Sequence, residues 1–177
     1  MILNRYRGKK TLLILLYTML VMVMASGCGK KTSKELDEYK ENMEAFYDKL
    51  SYYDEKINDI DSTSENAKYE LLTVLDQMNE AYKAMALVSI PEEFMGISEI
   101  ATEAADYMQK ADEFFHLAYD GDFNEEDEQL ASQYYERANS RAMVILQVLH
   151  GEVPAGEGIS VTTVEPGQFS TIGASTD

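Results

Sequence analysis

Glu113-Phe114-Phe115-His116 places a carboxylate and an imidazole about one helical turn apart. That is the Glu-x-x-His element of di-metal carboxylate bundles, in which two such elements project inward from facing helices. The chain has two histidines, and the second, His150, follows Gln147 where a glutamate would be needed. At ~100° per residue, Glu113 and His116 also lie roughly 200° and 140° from Ala111, the centre of the apolar stripe of their segment. Both are expected to face water, so no metal ligand set is expected in the core. "DGDFNEEDE", residues 120 to 128, begins like a calcium loop. An EF-hand loop needs glycine sixth and a bidentate glutamate twelfth, and these places hold Glu125 and Ala131. The acids there are better read as complementing the dipole of a helix start.

Arg141 falls between Ala138 and Ile145, close to an apolar stripe. If the stripe centres on Tyr134, Arg141 is buried and must meet a carboxylate or carbonyls. If it centres on Ala138, Ala142 and Leu149, Arg141 lies on a flank and extends its charge to water. The flank is the expected place. No glycine-rich phosphate loop is present. A carboxylate pair, as in hydrolases, is the catalytic chemistry left open.

The elements that position these groups are helical from Ser33 to His150. Leu36, Tyr39, Met43, Phe46, Leu50, Tyr53, Ile57 and Ile60 alternate spacings of three and four. Leu71, Leu75, Met78, Tyr82 and Met85 do the same, as do Ile97, Ala101, Ala104, Met108, Ala111, Phe115 and Ala118. A fourth, looser stripe runs through Leu130, Tyr134, Ala138, Ile145 and Leu149. Such stripes must be buried against other helices. The seven-residue repeat favours left-handed packing.

Breaks separate the stripes. Ser62 with Glu65 forms a capping-box pattern. Ser89 and Pro91 suit a third helix start. Asn124 suits the N-cap of a fourth helix, and Gly151 a C-terminal cap. Helices of about 25 to 29 residues are predicted, with connections short enough to force antiparallel neighbours. The expected fold is all-α: one up-down-up-down antiparallel four-helix bundle over residues 33–150. Residues 151–177, rich in Gly, Ser and Thr, read as a flexible C-terminal tail. "ISVTTV" within it needs a strand edge to pair with, and a helical bundle offers none.

The N-terminal region has a different character. Arg5, Arg7, Lys9 and Lys10 precede an uncharged run from Thr11 to Ala25, and Ser26 and Gly27 lead to Cys28, the sole cysteine. A basic start, a short apolar core and a small-residue exit describe a secretory signal peptide over 1–27. Ala25-Ser26-Gly27-Cys28 resembles the lipobox of bacterial membrane-anchored lipoproteins, with alanine where the family more often has leucine. The resemblance implies cleavage before Cys28, acylation of its thiol, and attachment to the outer face of the membrane. Residues 28–32 are then a lipidated N-terminus and a short linker. No cofactor is expected besides that covalent lipid.

Removing residues 1–27 leaves eleven basic side chains against 32 acidic ones, a net charge of −21 in place of −17. Such a surface repels phosphate backbones, so nucleic acid is not an expected partner. With the lipid at the start of the first helix, the loops near Ser62 and Gly121 lie at the far end. Asp120, Asp122, Glu125 and Glu126, with Tyr52 and Tyr69 beside them, are the candidate contacts there for divalent ions or a cationic protein. The expected function is that of a lipid-anchored, extracytoplasmic, non-enzymatic binding or envelope-interaction module. Its architecture and lipobox resemble the small helical lipoproteins common in Gram-positive-type bacteria. Metal or cationic-ligand binding through acidic residues is the alternative, and a carboxylate-dependent hydrolase the third reading.

Overall fold

The computed structural model describes residues 34–155, 159–165 and 168–173. Cys28 and the segment before it lie outside the described residues. Four helices follow in order: α1 (Lys34–Asp59), α2 (Ala67–Ala86), α3 (Ser98–Tyr119) and α4 (Glu125–Leu149). They pack as the expected all-α four-helix bundle.

The register between helices shows the antiparallel arrangement. Tyr47 Oη donates to the Ala142 carbonyl at 2.6 Å, and Tyr135 Oη donates to Asp54 Oδ1 at 2.9 Å. Moving forward seven residues on α1 therefore moves back seven on α4. At one end of the bundle, Lys68 Nζ donates to the Gly121 carbonyl, which brings the α1–α2 and α3–α4 connections together as expected.

Side-chain size sets how closely the helices approach. α3 buries Ala101, Ala104, Ala105 and Ala111, and α4 buries Ala131, Ala138 and Ala142. Small side chains admit the neighbouring backbone, and α3 with α4 forms the most extensive contact in the bundle. Aromatic rings fill the opposite side, where α1 and α4 stand further apart. Phe46 meets Tyr82 edge-on with centroids 5.1 Å apart, and Tyr82 Oη crosses the core to donate to Asn139 Oδ1. Burying ring area while satisfying the hydroxyl, as at Tyr47 and Tyr82, is what makes tyrosine usable in this core.

Several boundaries differ from expectation. The Ser62–Glu65 capping box does not form. Asp61 takes over the turn, its carboxylate accepting from both the amide and the hydroxyl of Thr63, and α2 starts later, at Ala67. These two hydrogen bonds hold the Asp61 carboxyl below its usual range. The third helix is preceded by a 3-10 segment, Glu92–Ile97, beginning after Pro91. There Ile97 is buried and Phe94 lies against Tyr39, with centroids 5.9 Å apart. A three-residue repeat suits that pair, since side chains at i and i+3 eclipse in a 3-10 turn. As a result α2 and α3 span 20 and 22 residues, shorter than expected.

Two caps are as expected. Asn124 Oδ1 accepts from the amides of Glu126 and Asp127. Gly151, at φ 73°, ends α4 with its amide on the Val148 carbonyl, in the left-handed region that glycine enters without penalty.

The region expected as a flexible C-terminal tail, residues 151–177, contains two strands. Strand β1 (Ile159–Glu165) pairs antiparallel with β2 (Gln168–Gly173), from Ile159 opposite Gly173 to Glu165 opposite Gln168. The edge that "ISVTTV" needs is supplied by the tail itself. The hairpin packs through β2 on the 3-10 segment and on α3.

Candidate metal centre between the second and third helices

Asp112 and His116 of α3 and its C-cap Asp120 recur every four residues, so they stack on one flank of that helix. Asp76 and Asn79, three residues apart on α2, face them. His116 Nε2 lies 3.0 Å from Asp76 Oδ1, and its Nδ1 lies 2.8 Å from Asp120 Oδ2. Asn79 Nδ2 donates to Asp112 Oδ2 at 2.7 Å. Asp76, Asp112 and His116 each offer a ligand atom, and these atoms all lie within 4.8 Å of one another.

Burial makes this group unlike a solvated acidic face. Asn79 and Asp112 are only 5% and 8% exposed. The amide oxygen of Asn79, Oδ1, and the second carboxylate oxygen of Asp112, also Oδ1, are buried without a hydrogen-bond partner. An unsatisfied buried acceptor costs about 1–3 kcal/mol, and more when charged. Burial pushes the Asp112 carboxyl above its usual range; the Asn79 hydrogen bond opposes this and the Asp76 charge adds to it. At His116, burial pulls the imidazole down. The hydrogen bonds and charges of Asp120 and Asp76 outweigh it and hold the ring above its usual 6.5. The group thus sets three carboxylates around one imidazole, with Asp112 Oδ1 left without a donor. A proton or a cation answers that need.

The residues singled out in the sequence fall differently. Glu113 is exposed as expected, accepting from Gln109. His116 was expected in water, yet its side chain is 34% exposed and drawn against α2. Asp120 belongs to this centre through His116. Asp122, Glu125 and Glu126 are exposed at the start of α4. Among the described residues, only Asp76, Asp112 and His116 gather three such ligand groups. Tyr52 and Tyr69 are exposed, and Lys56 lies over the Tyr52 ring.

Arg141 is corrected. It is buried, not on a solvated flank, with Nε 2.6 Å from Glu103 Oε2 and its guanidinium 5.8 Å from the Tyr107 ring centroid. The small residues between α3 and α4 let the helices close over it, and Glu103 supplies the carboxylate that a buried guanidinium requires.

Sequence reasoning missed Asp76, Asn79 and Asp112. The available signal was Asp112-x-x-x-His116-x-x-x-Asp120, a spacing of four; only the three-residue step from Glu113 to His116 was weighed as a ligand pair. No family model, curated protein or solved structure matches this chain. Among the described residues, no helix is long and apolar enough to cross a membrane. Fold and site together define a four-helix bundle with an interhelical group of potential metal ligands.

Proposed function

We propose that this chain is a lipid-anchored, extracytoplasmic, non-enzymatic binding protein whose bundle takes up a divalent cation between α2 and α3. The anchor rests on the order of basic start, apolar run and lipobox ending at Cys28. The bound species rests on one observation: Asp112 Oδ1 is buried without a partner, in a residue grouped with Asp76 and His116. A cation there satisfies an oxygen that the protein leaves bare. This moves the expected cation site from the exposed acids of the loop to the α2–α3 interface. Contact with a cationic envelope partner is the second reading, favoured by the exposure of both Tyr52 and Tyr69.

The test of the cation is direct. The full chain, purified in detergent and stripped with chelator, is titrated with zinc, manganese, calcium and magnesium while its melting temperature is followed. At least one ion should raise it saturably, because a ligand bound only by the folded state stabilises that state. Asp112→Asn should erase the response. No response to any ion, or an unchanged response in the variant, removes the reading. For the anchor, Cys28→Ala should leave an unprocessed precursor without lipid label. An unmodified 1–28 segment found intact in native membranes by mass spectrometry would rule the anchor out.

A further inference from the structure

We infer that the ion held here is a first-row transition cation of the zinc class, not calcium or magnesium, with His116, Asp76 and Asp112 as ligands and Asp120 positioning His116. This rests on the cation-binding reading above and adds the class of ion.

The donor set carries the inference. Calcium takes six to eight oxygens, and magnesium keeps an octahedral shell that is mostly water and carboxylate. An imidazole nitrogen among the convergent atoms suits neither, but suits zinc and its neighbours. His116 Nε2 is the nitrogen turned toward Asp76. Its other nitrogen, Nδ1, is held by Asp120 Oδ2 at 2.8 Å. A carboxylate on the far nitrogen of a ligating histidine fixes the tautomer and ring orientation and raises ligand basicity. In the ion-free protein both ring nitrogens face carboxylates; binding the ion releases the proton on Nε2 and frees its lone pair, while the Nδ1 proton stays hydrogen-bonded to Asp120.

Spacing agrees. Ligands at roughly 2.0–2.2 Å from a tetrahedral zinc stand about 3.4 Å apart. Asp76 Oδ1 and His116 Nε2 stand 3.0 Å apart, so that pair opens by a few tenths of an ångström to admit the ion. Asp112 supplies the third ligand from inside the bundle. Asn79, whose amide already touches Asp112 and whose oxygen is buried without a partner, is available as a fourth. Three ligands come from two rigid helices, Asp112 and His116 from one and Asp76 from the other, so the ion ties α2 to α3.

The experiment uses the chelator-stripped full chain in detergent, titrated calorimetrically with zinc and competed with calcium and magnesium. Cobalt(II) serves as a visible-absorbing substitute. One zinc should bind per chain and resist roughly a hundredfold excess of calcium or magnesium, as an imidazole-containing site prefers borderline ions. His116→Gln should abolish zinc binding and the intense cobalt band. Asp120→Asn should weaken zinc about 10–100-fold and shift the cobalt band, a signature that loss of a surface ion pair does not produce. Glu113→Gln, on the exposed face of the same helix, should change neither. If calcium or magnesium displaces zinc at comparable concentration and His116→Gln binds normally, the ion class is overturned while the cation reading stands. If no ion binds at all, both fall. An Asp120→Asn variant with unaltered affinity and spectrum overturns the positioning role.

Discussion

The Tyr47 hydroxyl donates to the Ala142 carbonyl at 2.6 Å across a buried contact, joining the first helix to the last. Burial pushes this phenol well above its ordinary pKa, so it remains a donor wherever the fold is intact. The bond spans 95 residues of sequence and sets the register at which α4 closes the bundle. Tyr47→Phe keeps the ring and removes only the donor. A loss of about 1 kcal/mol in urea unfolding, with an unchanged m-value, is expected.

Glu103 and Arg141 should behave as a coupled pair. Arg141 is the more buried partner, with a side chain 10% exposed against 29% for Glu103. Removing Glu103 alone takes the carboxylate from a guanidinium enclosed between α3 and α4. Glu103→Ala is expected to cost about 2 kcal/mol, in the range for hydrogen bonds to charged groups. Replacing both residues by leucine should cost less than that single change, as apolar substitutes often match a buried pair. A double-mutant cycle with thermal or urea unfolding measures the difference.

The hairpin and the core should separate by size of effect. Phe115 is buried in the bundle, and Phe115→Ala is expected to cost roughly 3–5 kcal/mol. Truncation after Ala155 removes the strand that packs on the 3-10 segment and α3, and should lower the melting temperature measurably but by less than Phe115→Ala. A truncated chain melting like the full one would show that the hairpin contributes nothing to the bundle.

In the ion-free protein, His116 gives a pH dependence of definite sign. Its folded pKa is raised above 6.5, with Asp120 and Asp76 outweighing burial. The stabilisation is therefore complete below the unfolded value and is lost as pH rises through the folded one. Melting temperatures in chelator, from about pH 6 upward, should show the gap between wild type and His116→Gln narrowing as pH rises. A gap that widens with pH would contradict the assignment of Asp76 and Asp120 as its partners.

Much of this architecture was legible along the chain. Stripes such as Tyr39, Met43 and Phe46, or Ala104, Ala111 and Ala118, follow from residue spacing alone, because a helix presents every third or fourth side chain to one side. The caps at Asn124 and Gly151 were legible for a similar reason: each depends on one residue and its immediate neighbours. Where two local solutions competed, as Ser62 and Asp61 did before α2, spacing could not say which would win. The hairpin was missed because the edge it needed was sought in the bundle rather than in the following residues. Its written signal was the Pro166-Gly167 dipeptide between two apolar-polar runs.

Which flanks of the helices meet belonged to the tertiary structure. Arg141 is buried because the alanines of α3 and α4 allow close approach and because Glu103, 38 residues away, lies opposite. Asp76 and His116 become neighbours because α2 and α3 are antiparallel at one particular register, separated by 40 residues of chain. Sequence periodicity determines the direction a side chain takes from its own helix axis. It carries no information on the rotation and axial shift of the partner helix, and those two quantities bring Asp112, Asp76 and His116 together.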